Sequence, residues 1–301
     1  MSAAERSAVD PAERARELLG FSRWWQVAAA AVMMGLVSPY QYVWSSIEQP
    51  LASGLGVPLP ALGLVFTLFV VFQAGSQFPV GWWRDRFGPR RLTLLAGLLA
   101  GGGYLGLAQA TEVWQLYLLY TLGAVGVGIV YTVAVNTAIK WFPDRRGLTT
   151  GVGTMAFAGG SALFVPYVRA NATVGGYPDV LTNMGLLIGV GILVGALVLR
   201  DPPTGWLEGD GGSPGESTTE DPTDDPPATK SDGGAAVAPR QYTWQEVLRT
   251  WQFWLMYAMF VAVSGAGLML TATVVRFAET LGLAAVVATA SATLLPIAGG
   301  V

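Results

Sequence analysis

Gly81–Arg91 reads GWWRDRFGPRR and lies between two apolar stretches too long for the helices of a soluble core. It puts Arg84, Asp85, Arg86, Arg90 and Arg91 into one short connection. Gly88 suits a turn with positive φ, which few other residues tolerate. Arg86, Arg90 and Arg91 would hold such a loop against an anionic membrane leaflet. Asp85 is an anion near two helix ends, able to pair with a nearby Arg or a helix N-terminus. The string therefore describes a hairpin joining two antiparallel membrane helices, with their charge gathered on one side.

The composition agrees. Apolar residues make up 52% of the 301 and charged residues only 12%, about half the charged share of an ordinary soluble domain. The mean hydropathy of +0.47 points to hydrocarbon, where long charge-free runs cost little. The chain has no Cys and no His, so there is no disulfide framework, thiol nucleophile or imidazole base, and no common transition-metal ligand set. No cofactor is expected. No block of Lys and Arg alternates with aromatics, so nucleic-acid binding has no support. Lys occurs only at Lys140 and Lys230, and the polar segments are acidic. That bias resembles proteins adapted to high salt, though high-GC coding produces it as well. The fold class is all-α integral membrane, and the lipid bilayer is the first partner.

A spanning helix needs ~20 mostly apolar residues. Eight segments are expected to span: 24–45, 61–83, 92–110, 113–139, 148–168, 180–199, 252–275 and 283–301. The charged N-terminal stretch has no small-residue cleavage site, which argues against a removable signal peptide. Arg6, Arg14, Arg16 and Arg23 precede the first span. Arg84, Arg86, Arg90 and Arg91 follow the second, Lys140, Arg145 and Arg146 the fourth, and Arg200, Lys230, Arg240 and Arg249 the sixth. Only Arg169 and Arg276 fall on the other side. By the positive-inside rule the N-terminus (1–23) is cytoplasmic; the expected location is the cell's plasma membrane.

Between Asp201 and Arg240 nine acids face two bases among Pro, Gly, Ser and Thr. Such a segment buries too little apolar surface to offset its ordering entropy, so 201–242 is expected to be a disordered acidic cytoplasmic linker. Ser217, Thr218 and Thr219 within it are read as solvated linker. Thr243 and Glu246 form a capping-box pattern ahead of an apolar run, predicting a short interfacial helix over 243–250. The eighth span reaches Val301 with no closing polar residue, so the chain is expected to continue beyond it.

Asp85-Arg86-Phe87-Gly88 and Asp144-Arg145-Arg146-Gly147 share a short string in two loops on the same side, a faint mark of nested three-plus-three repeats. The pattern G-x-x-x-D-R-x-G-x-R-R resembles the loop between helices 2 and 3 of the major facilitator superfamily. The resemblance implies a six-helix N-terminal bundle (24–200), the linker, and the first two spans of a second bundle (243–301). It also implies that Asp85 locks the two bundles together in an outward-facing state. Pro89 stands where the superfamily usually has a basic residue. SPYQYVWSS (38–46), FQAGSQFPVGWWRDRFGPR (72–90), YTLGAVGVGIVYTVAVNTAIKWFPDRRGLTTG (120–151) and GLAA (282–285) are similar to the oxalate/formate antiporter family. That resemblance implies a small carboxylate anion as cargo and Gln41, Tyr42 and Tyr131 as pocket residues. Gly63 stands where the oxalate-transporter pattern has Gln, a departure that leaves dicarboxylate specificity open.

Polar side chains at membrane depth normally face the bundle interior. Tyr40, Gln41, Tyr42 and Trp44 cluster in the first span, Gln73 and Gln77 in the second, and Tyr131, Asn136 and Thr137 in the fourth. Phenol and amide donors can hold a carboxylate without formal charge. Packing with satisfied hydroxyls is the alternative for the tyrosines, and an interfacial belt for Trp44. No expected span has an ionisable residue at its centre. A small dianion needs cationic partners on leaving water, and the family's Arg in span 8 and Lys in span 11 would lie beyond Val301. These 301 residues alone are therefore expected not to bind or move cargo.

Gly97 and Gly101, Gly147 and Gly151, and Gly123, Gly126 and Gly128 suit close helix packing. Asn171-Ala172-Thr173 is a glycosylation acceptor pattern. The reading is a monomeric secondary transporter for small carboxylates, not an enzyme. Its rival is a sensor on a transporter scaffold that signals through the acidic linker.

Overall fold

The computed structural model describes residues 11–203, 206 and 244–299. Every regular element among them is helical. The linker residues 207–242, including Ser217, Thr218 and Thr219, lie outside the described residues, as does Thr243 of the capping box. Contacts divide the chain into two compact units, 1–207 together with 267–301, and 208–266. In the second, α10 (Trp244–Arg249) falls in the stretch read as an interfacial helix, and the long helix α11 (Trp251–Thr280) begins.

In the first unit, α1 (Pro11–Leu19) buries Ala15 and Leu19 beside Val27, Trp141 and Phe142. Next come α2 (Trp24–Val37), α3 (Pro39–Tyr42) and α4 (Trp44–Leu55). Pro39 cannot continue the backbone ladder of α2, and the path bends by 52° between α3 and α4. Gly56, left-handed at φ 65°, closes α4. A 3-10 turn at Leu59–Leu62 leads into α5 (Gly63–Phe87), followed by α6 (Pro89–Leu107), α7 (Val113–Trp141), α8 (Arg146–Asn171) and α9 (Tyr177–Val198). A capping box between Glu112 and Gln115 starts α7. The last helix is α12 (Ala285–Gly299).

Among the described residues five helices are long and apolar enough to cross a membrane, and the bent α2–α4 path, counted as one span, makes a sixth. The eight expected spans change in three places. The first does not stop at residue 45 but continues, broken, to Leu55. The segment expected over 92–110 forms α6, which carries Arg90 and Arg91 in its first turn and is not among the five. The segment expected over 283–301 forms α12, a shorter apolar helix.

Packing follows the small residues. α6 lies against α9 where Gly101 meets Gly185 and Gly189. A Cβ at Gly101 would come 2.6 Å from the Gly189 Cα. Gly123 accepts the ring of Tyr40, and Gly126 lies against the Ala100 backbone. A Cβ added at Gly147 or Gly151 would meet nothing within 4 Å, so no close approach requires a glycine there. Asn171, in the glycosylation pattern, is the last residue of α8, and its amide donates to the Tyr167 carbonyl at 2.8 Å.

Candidate functional site

The expected pathway residues divide between two environments. Trp44 begins α4 and is only 2% exposed. Its ring centroid lies 4.9 Å from Tyr120, so it belongs to the aromatic core rather than to an interfacial belt. Tyr40 is also fully buried: its hydroxyl donates to the Ala100 carbonyl at 2.6 Å, and Tyr120 donates to the Tyr40 carbonyl at 2.5 Å. Those bonds satisfy both phenols inside the packing. Tyr42 and Tyr131 are half-buried and converge on Phe157 of α8, with centroids 5.5 and 5.8 Å from its ring. Gln41 is half-buried beside Tyr42. Tyr131 lines a cavity of about 500 Å³ with Gln77, Gly81, Trp82 and Asn136. A neutral seam thus runs from Tyr42 of α3 past Phe157 of α8 to Tyr131 and Asn136 of α7 and Gln77 of α5.

At one end of the helices the loop arginines and acids form two ionic clusters. Arg84, in the last turn of α5, is 1% exposed. Its Nη2 donates to Asp201 Oδ1 at 2.7 Å and to Thr137 Oγ1 at 3.0 Å, and its Nη1 to Asp85 Oδ1 at 3.3 Å. Lys140 Nζ donates to Asp201 Oδ2 at 2.9 Å. Asp201, which composition assigned to the linker, is instead tied to α5 and α7. Asp85 itself is 72% exposed and lies 3.8 Å from Lys140.

In the second cluster Arg23 reaches both oxygens of Asp144, at 3.2 and 3.4 Å. It also donates to the Trp141 carbonyl at 3.0 Å, with its guanidinium 4.2 Å over Phe142. Arg86 lies 5.7 Å over Trp82, whereas Arg90, Arg91, Arg145 and Arg146 are exposed. The two D-R-x-G strings differ in conformation. Gly88 ends α5 at φ 77° and ψ 172°, while Gly147 lies inside α8. Asp85 is helical and Asp144 stands in the turn before α8. The short repeat has no conformational counterpart.

At the other end, two ion pairs appear that charge counting by loop missed. Glu48, 3% exposed, accepts from Arg276 Nε at 3.1 Å and Nη2 at 2.5 Å. Arg169 donates to Thr289 Oγ1 at 2.9 Å and to Glu279 at 3.4 Å. Both Glu48 and Arg276 lie just outside the expected spans, but α4 runs ten residues past 45 and α11 five past 275. Those extensions place Glu48 and Arg276 within helices. Arg276, Glu48, Trp44 and Gly63 line one cavity of about 390 Å³. Its signal in the sequence was the spacing of Glu48, four residues after Trp44 on the same helix face.

Membrane-length helices among the described residues, around a neutral polar seam and with ionic loops at one end, describe a multi-pass membrane protein. The chain belongs to the Major Facilitator Superfamily, which matches residues 24–301. It is 36% identical over 272 residues to the oxalate:formate antiporter of Oxalobacter formigenes, covering 90% of this chain and 59% of the antiporter. It is 28% identical over 161 residues to the probable sulfoacetate transporter of Cupriavidus necator, covering 52% of this chain and 37% of that one. It is also 31% identical over 88 residues to apicoplast pyruvate carrier 1 of Toxoplasma gondii, covering 28% and 16%. The resemblance drawn from residues 38–46, 72–90, 120–151 and 282–285 is borne out. The chain spans well under two thirds of the length of each of these relatives.

Proposed function

We propose that this chain forms the larger part of a secondary carrier for small organic carboxylates, working by alternating access as an exchanger or facilitated carrier. The similarity to the oxalate:formate antiporter along nine tenths of the chain carries this reading. Two further relatives are named for sulfoacetate and pyruvate, which also bear one carboxylate on a small frame. The neutral seam is chemically suited to such cargo, since the phenols of Tyr42 and Tyr131 and the amide of Gln41 can donate to a carboxylate. Trp44 would form the apolar wall of the pathway. The end bearing Arg23, Arg84 and Lys140 faces the cytoplasm of a plasma-membrane protein by the positive-inside rule. Asp85, exposed at that end, serves in the gate together with Gly81, Gly88 and the loop arginines.

Titrating formate, oxalate, lactate and pyruvate onto the purified full natural chain, with melting temperature as readout, tests binding. At least one should raise it. Tyr131→Phe should then raise the half-saturating concentration roughly tenfold, because a hydrogen bond to a charged group contributes about 1.5–3 kcal/mol. If no carboxylate shifts the melting of the native protein, the proposal fails.

A further inference from the structure

We propose that Glu48 and Arg276 couple carboxylate movement to a proton: the cargo's carboxylate displaces Glu48 from Arg276, and Glu48 takes up a proton as it loses its counter-ion. The proposal deepens the carboxylate-carrier reading and rests on it for the identity of the cargo. It adds a coupling ion to that reading.

The acid is the first observation. Glu48 lies within α4, 3% exposed, and among the described residues it is the one buried acid. An ionisable group inside a membrane helix is costly and is kept where charge has to move. Among the described residues its only salt bridge is to Arg276 of α11, whose Nε and Nη2 both donate to Oε1, at 3.1 and 2.5 Å. The ionic cluster around Arg84 is built differently, because Asp201 accepts from Arg84, Thr137 and Lys140 together. Glu48 has no second cation. The other titratable groups facing it are Glu279 of α11 and Tyr120 of α7. Glu279 is paired with Arg169, and the Tyr120 hydroxyl donates to the Tyr40 carbonyl. Trp44, on the same helix, offers only a neutral donor. None of these balances a charge on Glu48.

The second observation is that the cation is reachable while the acid is not. The Arg276 side chain is 46% exposed against 4% for Glu48. It lines the cavity of about 390 Å³ with Trp44, Gly63 and Thr67. A Cβ added at Gly63 would meet nothing within 4 Å, so that wall is clear. A guanidinium presents five N–H donors, and Glu48 takes two of them. A carboxylate entering the cavity meets the free donors first and then draws the guanidinium off Glu48. Glu48 is then a buried charge without a partner, and such a site holds the neutral acid instead. One proton from solution binds the Glu48 carboxylate as one anion binds Arg276. The local charge is zero before and after, since the cargo replaces Glu48 as the counter-ion. Net movement therefore carries anion and proton together. Exchange of one carboxylate for another leaves the proton in place, so one site serves both modes.

Calorimetric titration with formate, oxalate, lactate and pyruvate, in two buffers of different ionisation heat, counts the protons taken up on binding. The full natural chain carrying Tyr42→Phe/Tyr131→Phe, which weakens the central seam, isolates the site at Arg276. At neutral pH it should take up about one proton per carboxylate, with a dissociation constant that rises about tenfold per pH unit. Adding Glu48→Gln should abolish proton uptake and flatten the pH dependence while binding persists; Glu48→Asp should keep both. Adding Glu48→Gln/Arg276→Gln, which leaves no charge unpaired, should hold the melting temperature and lose binding. The coupling is overturned, and the carrier reading left standing, by any of four results: the natural chain binding but the Tyr42→Phe/Tyr131→Phe variant not, binding without proton uptake, uptake unchanged by Glu48→Gln, or binding unchanged by Glu48→Gln/Arg276→Gln. If the natural chain itself binds none of the four carboxylates, both fall.

Discussion

Gly88 has φ 77° and ψ 172°, a conformation open to almost no residue but glycine, and its N–H caps α5 on the Arg84 carbonyl at 2.8 Å. Gly88→Ala should cost about 1–3 kcal/mol and lower the melting temperature by several degrees. The need for a turn glycine here was legible, because the string offers no other residue for a reversal. The partner of Arg84 was not. Composition placed Asp201 with the acids of the linker, and nothing local says that a carboxylate beyond α9 folds back onto α5. Arg84→Gln leaves Asp201 still paired with Lys140 and Thr137 and should destabilise by about 1.5–3 kcal/mol through the lost charge-assisted hydrogen bonds. Asp85 is exposed, so Asp85→Asn should leave the melting temperature unchanged and act only on conformation. With no native Cys, paired cysteine labelling can follow that shift, expected toward the inward-open form. Unchanged labelling on both faces would count against a gating role.

The helices were legible as elements because apolar runs of this length have few other solutions in lipid. Their ends were read less well. The first span was expected to end at residue 45, yet Arg276 supplies a counter-charge to Glu48 from α11 and the helix continues to Leu55. Sequence spacing cannot show a partner more than two hundred residues away. Glycine spacing picked out Gly101, which meets α9, but equally picked out Gly147 and Gly151, where an added Cβ would meet no atom within 4 Å. A small residue permits a close approach without requiring one. Gly101→Val should therefore cost about 1–3 kcal/mol through overpacking against Gly189. Gly102→Ala, next to it with nothing within 4 Å, should be neutral. Equal melting temperatures for both variants would deny that the α6–α9 contact depends on that glycine.

For the molecule as a whole, the neutral seam was the most legible part of the candidate site. Tyr42 and Tyr131 do converge on one aromatic, while Tyr40 is fully buried and Trp44 both packs on Tyr120 and lines the cavity with Glu48 and Arg276. The charged end opposite Arg84 was the least legible, since its four members come from α4, α8 and α11 and meet only in the fold. A superfamily match over 24–301 and 36% identity to an oxalate:formate antiporter over nine tenths of the chain leave the cargo as the central claim. Counterflow decides it. Vesicles bearing the full natural chain are loaded with one unlabelled carboxylate and given a trace of its labelled form outside, across formate, oxalate, lactate and pyruvate. The account predicts transient accumulation of at least one label, slowed by Tyr42→Phe/Tyr131→Phe; no accumulation of any of the four above protein-free vesicles would contradict it.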